Sequence, residues 1–279
     1  MDAGRTGHQV EHSAIQVRAR KADRPIGKTV GTRFSLSVVL PAYNEEAVIE
    51  QTVSYVATAL ANWTNDFEII VVNDGSKDRT EEIIERLALS DPHICLLHHP
   101  TNKGYGAALM AGFQAATKEL LFFMDSDGQF DIADLAQFFP LIERYDAVLG
   151  YRNPRCDPWP RKLNAWLWKQ LVYLALGIQI RDLDCAFKLY HVCFLRSFQL
   201  ETRGAMINAE MLYRLQQAGN TFAEVGVRHL ERASGQATGA NVAVIFKALH
   251  ELAIFTVKWR IAAKVRAIVH HHMVVKVTR

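Results

Sequence analysis

The chain has 279 residues, of which 49% are hydrophobic and 22% charged, so it can bury a large core, and one α/β domain with appendages fits it best. No uncharged run reaches the roughly 20 residues of a membrane-spanning helix, and no N-terminal apolar stretch resembles a signal peptide. Four scattered cysteines exclude a zinc cluster and predict reduced thiols in a cytosolic protein.

The formal net charge is only +3, but the cations gather at the two ends. Residues 1–33 hold seven Lys or Arg against three acidic residues, and residues 258–279 hold six and no acid. Since residues 1–33 lack hydrophobic periodicity, we expect a disordered basic arm there, and a solubilising tail is its simplest interpretation. Basic ends on an acidic body suggest an anionic membrane surface as a partner. Nucleic acid is the weaker alternative, because the chain lacks a readable groove-binding element.

From residue 34 onwards, apolar strands alternate with amphipathic helices. The predicted strands are Leu36–Leu40, Phe67–Val72, Ile94–His98, Leu120–Met124 and Ala147–Gly150, and the predicted helices start near Glu45 and cover Thr80–Leu89, Ala107–Ala116 and Ile132–Arg144. This rhythm predicts a mostly parallel, doubly wound sheet flanked by helices. Beyond Tyr151 we expect a helix at Leu163–Leu176, a polar loop around Asp182–Lys188, a helix at Asn208–Ala218, a strand at Phe222–Val227 and a long amphipathic segment from Asn241.

The most informative motif is Asp125-Ser126-Asp127-Gly128-Gln129, directly after the buried strand Leu120–Met124. In an extended stretch, residues two apart point the same way, so Asp125 and Asp127 can converge on one point. Two close carboxylates repel unless a cation lies between them, and oxygen ligands suit Mg²⁺ or Mn²⁺. A solvated Asp-rich turn is the alternative. The apolar strand before the motif and three companion motifs favour a metal and diphosphate site.

The companion motifs follow three other predicted strands. Pro41-Ala42-Tyr43-Asn44-Glu45 offers a ring that can stack and a carboxylate that can accept from hydroxyl or N–H groups. Asp74-Gly75-Ser76 brings a second carboxylate to the same edge, where a ligand role is favoured over a helix N-cap. The loop Asn102-Lys103-Gly104-Tyr105-Gly106 opens a helix, so we expect its backbone N–H groups and Lys103 to meet a phosphate. Its spacing is not that of a dinucleotide fingerprint.

In this order and spacing, the four motifs resemble the GT-A-fold family 2 glycosyltransferases. Within that family the chain is most similar to the polyprenyl-phosphate sugar transferases, the group that includes dolichol-phosphate mannosyltransferase. The resemblance covers roughly residues 35–240. It implies a GT-A, Rossmann-like domain over residues 34–240, followed by a basic amphipathic segment, residues 241–279, whose helices can lie at a membrane interface.

The resemblance also implies roles for individual residues. On the donor side it places Pro41, Tyr43 and Glu45 at the nucleotide, Val72 and Asp74 beside the base, Asp125, Ser126 and Asp127 at the diphosphate and metal, Gln129 in the metal shell and Arg232 on the diphosphate. On the acceptor side it places Arg152, and less securely Arg161, at a phosphate, with Asp127, Arg152 and Arg161 as the catalytic set. Two departures stand out: Lys188 replaces an arginine of the family, and Thr238 replaces a lysine that helps to bind the diphosphate.

The implied reaction is an inverting, divalent-metal-dependent transfer of a sugar. The donor is a nucleotide sugar of the GDP-mannose or UDP-glucose type, and the acceptor a polyprenyl phosphate at the cytosolic membrane face. The protein is then expected to be cytoplasmic and peripheral on the inner face, with a membrane-anchoring subunit as a possible partner. Membrane contact is expected from the helix at Leu163–Leu176 and from residues 244–259, although both could instead pack on the protein's own core.

Two other functions stay open at this point. One is a family 2 transferase that acts on a glycan hydroxyl, which would need a general base such as Glu210, although that residue reads more simply as an ordinary charged helix position. The other is a non-catalytic nucleotide-sugar-binding protein at a membrane. The intact set of Asp125, Asp127 and Gln129 argues against this second alternative.

Overall fold

The computed structural model of the protein describes residues 16–18, 34–155, 159–231, 246 and 248–259. Its strands are β1 (Gln16–Arg18), β2 (Leu36–Ala42), β3 (Phe67–Asn73), β4 (Ile94–His98), β5 (Leu120–Met124), β6 (Ala147–Arg152), β7 (Phe187–His191) and β8 (Phe222–Val227). Its helices are α1 (Ile49–Ala61), α2 (Thr80–Ser90), α3 (Tyr105–Ala115), α4 (Phe139–Ile142), α5 (Trp159–Leu176), α6 (Val192–Arg196) and α7 (Ile207–Gln217), with a 3₁₀ helix at Ile132–Gln137. Residues 248–259 are also helical.

The strands form one sheet in the order β1-β8-β6-β7-β5-β2-β3-β4. The pairs β2–β3, β3–β4, β2–β5 and β6–β8 are parallel, which confirms the predicted α/β fold with a mostly parallel sheet. The chain runs from β2 outward to β4 and then returns to the other side of β2 to form β5. The strand order therefore reverses between β2 and β5, and ligands bind outside the carboxyl ends of strands at such a point.

Strand β7 is the main departure from the prediction, which assigned residues 182–188 to a polar loop. Phe187–His191 runs antiparallel between β5 and β6 in the middle of the sheet. Its apolar side chains fill the core, and Lys188 lies among them without solvent exposure. Because β5 and β6 are both antiparallel to β7, their carboxyl ends lie at the same edge of the sheet.

Other differences are local. Gln16–Arg18, inside the segment expected to be a disordered arm, pairs with β8 as strand β1. Strand β2 was predicted to stop at Pro41, but it continues to Ala42, with Pro41 opposite Val72. The single helix predicted at Ile132–Arg144 is a 3₁₀ helix followed by α4, since Pro140 near the start of α4 has no N–H to continue the earlier turn.

Residues 248–259 pack against α7. Leu252 and Trp259 are buried there, and the Trp259 ring stacks on Tyr213 with a centroid distance of 4.9 Å. The other side of this helix exposes Ile254 and Val257. In the part of the chain that the structure describes, none of the helices combines the length and the hydrophobicity of a membrane crossing.

Candidate functional site

The segment after β5 turns sharply at Gly128, whose φ of +74° suits glycine. Asp127 is only 6% exposed, and its Oδ1 accepts the backbone N–H of Gln129 at 3.1 Å. The side-chain nitrogen of Gln129 donates to the carbonyl of Leu230 at 3.1 Å. The amide oxygen is thus the atom that Gln129 can offer to a cation. Ser126, expected at the diphosphate, is buried and donates its hydroxyl to the carbonyl of Pro41 at 2.7 Å, which ties β5 to β2.

Tyr105, the first residue of α3, lies close enough to Asp125 and Asp127 to be affected by their charges. Burial raises the pKa of Tyr105 well above its ordinary value, and so do the charges of Asp125 and Asp127 and a hydrogen bond between its hydroxyl and Asp125. The convergence of the two carboxylates on one cation stays a prediction from the alternating pattern. No cluster of three or more His, Cys, Asp or Glu side chains forms within the described ranges. Two carboxylates and one amide oxygen fit Mg²⁺ or Mn²⁺, which are bound by few protein oxygens together with substrate phosphates.

Asp74 lies at the end of β3 and is buried, with donors on both oxygens. Its Oδ1 accepts from the Lys103 N–H at 2.9 Å and from Nδ1 of His99 at 2.7 Å, and its Oδ2 accepts from the Gly104 N–H at 2.8 Å. The expectation that these two backbone N–H groups would meet a phosphate is therefore not met, because they donate to Asp74. The carboxylate positions the glycine loop, and a base N–H would have to use what remains of Oδ2.

The remaining residues of the predicted nucleotide site lie at the carboxyl ends of β2 and β3. Tyr43 and Glu45 are partly buried, and the N–H of Glu45 donates to Thr80 Oγ1 at 2.8 Å. Helix α1 begins at Ile49 rather than near Glu45, and the Glu45 carbonyl accepts the N–H groups of Val48 and Ile49 in the turn before it. The Val72 side chain is fully buried, so only its backbone is available to a ligand.

Arg152 ends β6 and forms a buried ion pair with Asp182. Its Nε and one terminal nitrogen each donate to a different oxygen of Asp182 at 2.7 Å. Burial acts to raise the pKa of Asp182, but hydrogen bonding and the charge of Arg152 hold it below its ordinary value. The sequence placed Arg152 at an acceptor phosphate, whereas the structure gives two of its donors to a carboxylate of the chain.

A cavity of about 170 Å³ opens beside this ion pair, between α5 and residues 181–184. Its lining includes Arg155, Lys162, Trp166, Lys169, Arg181 and Asp184. Arg161 lies on α5 but is not part of this lining. Arg155 and Arg181 are functional candidates that the sequence analysis missed. The sequence signal for these two residues is weak: Arg155 precedes the α5 segment and Arg181 follows it.

Two charged residues near the site have structural partners. Lys188 is fully buried, and its Nζ donates to Asn208 Oδ1 at 2.8 Å and to the Leu183 carbonyl at 3.1 Å. Burial lowers its pKa to about 8. Glu210 on α7 is also fully buried, and its carboxylate accepts from the backbone N–H groups of Glu201 and Thr202. Neither residue faces an open site. Arg232 and Thr238 lie outside the described residues.

Comparison with known proteins gives consistent results. A family model described as Glycosyl transferase family 2 matches residues 37–202. The chain is 34% identical over 221 residues to Glycosyltransferase AglD of Haloferax volcanii, a match that covers 75% of the chain and 35% of that protein. It is 26% identical over 237 residues to the undecaprenyl-phosphate mannosyltransferase of Micrococcus luteus, covering 81% of the chain and 94% of that protein. The chain thus spans about a third of the length of the first relative and nearly all of the second.

Solved structures show the same fold. Glucosyl-3-phosphoglycerate synthase from Mycobacterium tuberculosis, in complex with Mn²⁺, UDP and glucosyl-3-phosphoglycerate, superposes with a TM-score of 0.59. The sequence identity is 20%, and the match covers 77% of both chains. At this identity the likeness concerns the fold.

Proposed function

Because the chain belongs to glycosyl transferase family 2, we propose that it transfers a sugar from a nucleotide-sugar donor to a polyprenyl phosphate at a membrane surface. The donor would be of the GDP-mannose or UDP-glucose type, and Mg²⁺ or Mn²⁺ would be held by Asp125, Asp127 and Gln129. The membrane face would be the cytosolic one. The whole enzyme's activity, substrates and partners are part of this proposal.

The observation that carries the proposal is a cationic cavity next to an exposed apolar helix face. Four cations, Arg155, Lys162, Lys169 and Arg181, line this space of about 170 Å³ together with Asp182 and Asp184. On the neighbouring surface of α5, large apolar side chains are exposed: Trp159, Leu163, Trp166, Leu167, Leu171 and Leu174. Their spacing of three and four residues puts them on one stripe of the helix. An anionic head beside an apolar stripe suits a lipid phosphate at a bilayer interface.

The sheet brings this cavity to the same edge as the paired aspartates. Asp125 follows β5, Arg152 ends β6, and both strands have their carboxyl ends at one edge. The Arg152–Asp182 pair fixes residues 181–184, which carry Arg181 and Asp184 to the cavity wall. A donor at Asp125 and Asp127 and an acceptor at the cavity would therefore share one cleft.

Chemically, the chain's residues would act by binding, orientation and charge compensation. When bound, the divalent ion neutralises the charge that develops on the departing nucleoside diphosphate. Asp125 and Asp127 would hold that ion, and the cavity cations would hold the acceptor phosphate for attack on the anomeric carbon. A single displacement by a phosphate oxygen forms the new bond as the bond to the diphosphate breaks. Such a direct displacement inverts the anomeric configuration.

A phosphate acceptor also removes the need for a general base. A phosphomonoester is already ionised near neutral pH, with a second pKa of about 6. Glu210, the base candidate for a hydroxyl acceptor, is buried and accepts hydrogen bonds from residues 201 and 202. A transferase for glycan hydroxyls would require a base elsewhere.

The proposal is tested with purified protein, phospholipid vesicles that contain a short polyprenyl phosphate, and a panel of labelled nucleotide sugars with Mg²⁺ or Mn²⁺. We expect label to move into the organic phase with one donor and to stop when the cation is chelated. Asp127→Asn should reduce this transfer by about 100-fold or more, because metal and diphosphate lose a charged ligand. Asp66→Asn, an exposed aspartate at the opposite end of β3, is the matched control and should keep full transfer.

Two outcomes would overturn the proposal. Equal transfer to a polyprenol without phosphate would remove the role of the cationic cavity. Label that appears only in water-soluble glycans would favour a hydroxyl acceptor instead.

A further inference from the structure

Arg181, in the wall of the cationic cavity, is held by contacts from three elements. Its guanidinium lies over the ring of Tyr151 on β6, with 4.5 Å between the guanidinium carbon and the ring centroid. Its backbone N–H donates to Oε1 of Glu224 on β8 at 2.7 Å. Its carbonyl accepts from Nζ of Lys169 on α5 at 3.3 Å. The backbone of Arg181 is therefore fixed from both sides, and an aromatic ring supports its side chain.

The sheet in turn sets the position of the Tyr151 ring. Tyr151 lies opposite Gly226 in the parallel pair of β6 and β8. A Cβ at Gly226 would lie 3.2 Å from the Tyr151 hydroxyl oxygen and 3.3 Å from the ring carbon that bears it, which is closer than ordinary van der Waals contact. Glycine thus makes room for the ring to lie across β8. Glu224 is two residues before Gly226 and so lies on the same face of the strand.

The ring supports the guanidinium without offering it a hydrogen-bond acceptor from an acidic side chain. A cation within about 6 Å of a ring centroid is attracted by the electron density of the ring face. Arg152 is held differently, because its Nε and one terminal nitrogen donate to the carboxylate of Asp182. Of these two arginines, Arg181 has the contact that better preserves its N–H donors for an anion.

From this arrangement we infer that Tyr151 is a positioning residue, whose ring holds the Arg181 guanidinium in the orientation that binds the acceptor phosphate. The inference rests on the proposed function, because it concerns the acceptor of that reaction. The group recognised is a phosphomonoester at the end of a polyprenyl chain. Paired N–H donors bind phosphate oxygens in a defined geometry, and a side chain that is oriented before binding loses less conformational freedom when the ligand arrives.

The test removes the ring face with Tyr151→Leu in the full chain. Binding of a short, water-soluble polyprenyl phosphate is measured by isothermal titration calorimetry without a donor, so that no transfer reaction is needed. We expect the affinity to fall about tenfold. Tyr151→Phe keeps the ring face and should restore most of the affinity. Tyr145→Leu, at a partly buried tyrosine outside the cavity lining, is the matched control and should bind the phosphate as the unaltered protein does.

Two further measurements separate positioning from a general loss of structure. Affinity for a nucleoside diphosphate with Mn²⁺ should be equal in Tyr151→Leu and the unaltered protein, and a loss of both affinities would leave Tyr151 only a structural role. If Tyr151 acts through Arg181, Tyr151→Leu should have little further effect in an Arg181→Ala background. Equal losses in both backgrounds would contradict the inference, as would a loss in Tyr151→Phe as large as that in Tyr151→Leu.

The failure of this inference can be told apart from that of the proposed function. If polyprenyl phosphate binding depends on Arg181 but not on Tyr151, only the role of Tyr151 is refuted. Inorganic phosphate is titrated in parallel. If it binds as tightly as polyprenyl phosphate and with the same dependence on Tyr151, the lipid acceptor is refuted and the positioning role stands.

Discussion

Among single residues, the buried carboxylates differ in what their oxygens bind. Asp74, Asp182 and Glu210 accept from donors of the chain itself, which positions loops and neighbouring cations. Asp125 and Asp127 follow β5 at the switch point, where Asp127 Oδ1 accepts the backbone N–H of Gln129 at 3.1 Å. A carboxylate that several protein donors already hold has little capacity left for substrate. The hydrogen bonds of Asp74, Asp182 and Glu210 hold loops in place, whereas the ligand role of Asp125 and Asp127 stays a prediction.

A substitution at Glu210 tests whether this carboxylate stabilises the fold or acts as a catalytic base. Glu210→Gln places an NH₂ group among the N–H and hydroxyl donors of residues 201 and 202, so at least one buried donor loses its partner. We expect a loss of about 1–3 kcal/mol in the free energy of unfolding. Turnover per folded molecule should stay near that of the unaltered enzyme. Thermal melts and initial rates measure the two effects separately.

The matched control is Glu85→Gln at an exposed position of α2, which should change neither quantity. A melt that stays unchanged together with a loss of turnover would instead identify Glu210 as a base.

How far the sequence predicts the site depends on the range of the interactions. The site at Asp125 and Asp127 is predicted from a local pattern, two acidic residues two positions apart after an apolar strand, and it stays a prediction. The partner of Arg152 is thirty positions away in sequence, and that of Asp74 is a loop about thirty positions away. No local pattern encodes such pairings.

At the scale of elements, strands β4, β5 and β8 have the predicted bounds, because continuous apolar runs between turn residues mark them clearly. Strand β7 was missed because Lys188 interrupts its apolar run, and the acidic residues before it are typical of a loop. In the structure that lysine is compensated by Asn208 and the Leu183 carbonyl, which only tertiary contacts supply. Helix α5 begins four residues before its predicted start, at Trp159.

We predict that the exposed apolar face of helix α5 contributes to membrane binding. In Trp166→Ser combined with Leu174→Ser, two side chains that are 52% and 68% exposed lose their apolar surface. If this face lies in a bilayer interface, each lost contact costs up to about 1.5–3 kcal/mol, so binding to vesicles should weaken by about tenfold or more. Sedimentation with phosphatidylglycerol vesicles measures the bound fraction. Leu89→Ser, at a leucine of α2 that is 91% exposed, is the control and should leave binding unchanged.

Undiminished vesicle binding by the double variant would mean that α5 is not the membrane face. In that case the exposed side of residues 248–259 would be the next surface to alter.

For the molecule as a whole, the buried Lys188 on strand β7 makes the free energy of unfolding depend on pH. Burial lowers the pKa of Lys188 from 10.5 to about 8, against the opposing charges of Asp184 and Asp182. Between these two values the unfolded chain keeps the proton that the native protein has lost. The unfolded state then binds more protons, so the contribution of Lys188 to stability becomes more favourable as the pH rises through this window.

This increase in stability with pH can be measured. Relative to a Lys188→Met variant, the protein should gain free energy of unfolding between about pH 8 and about pH 10, a window set by the lowered pKa. Urea unfolding of both proteins at several pH values measures the difference. Comparing the two slopes cancels the titration of the other groups. Parallel slopes would show that Lys188 titrates as an ordinary exposed lysine.

The 201–204 segment imposes a constraint on how this protein can change over evolution. One side of it lies on the first turn of α3, and the other meets the helix at residues 248–259, where Lys258 pairs with Glu201 at 2.6 Å and Glu251 adjoins Gly204. Because the 201–204 segment is in contact with other elements on both sides, its length is fixed. Inserting or deleting a single residue there would have to move either the first turn of α3 or the last described helix, so its length should change far less over evolution than that of an ordinary surface loop.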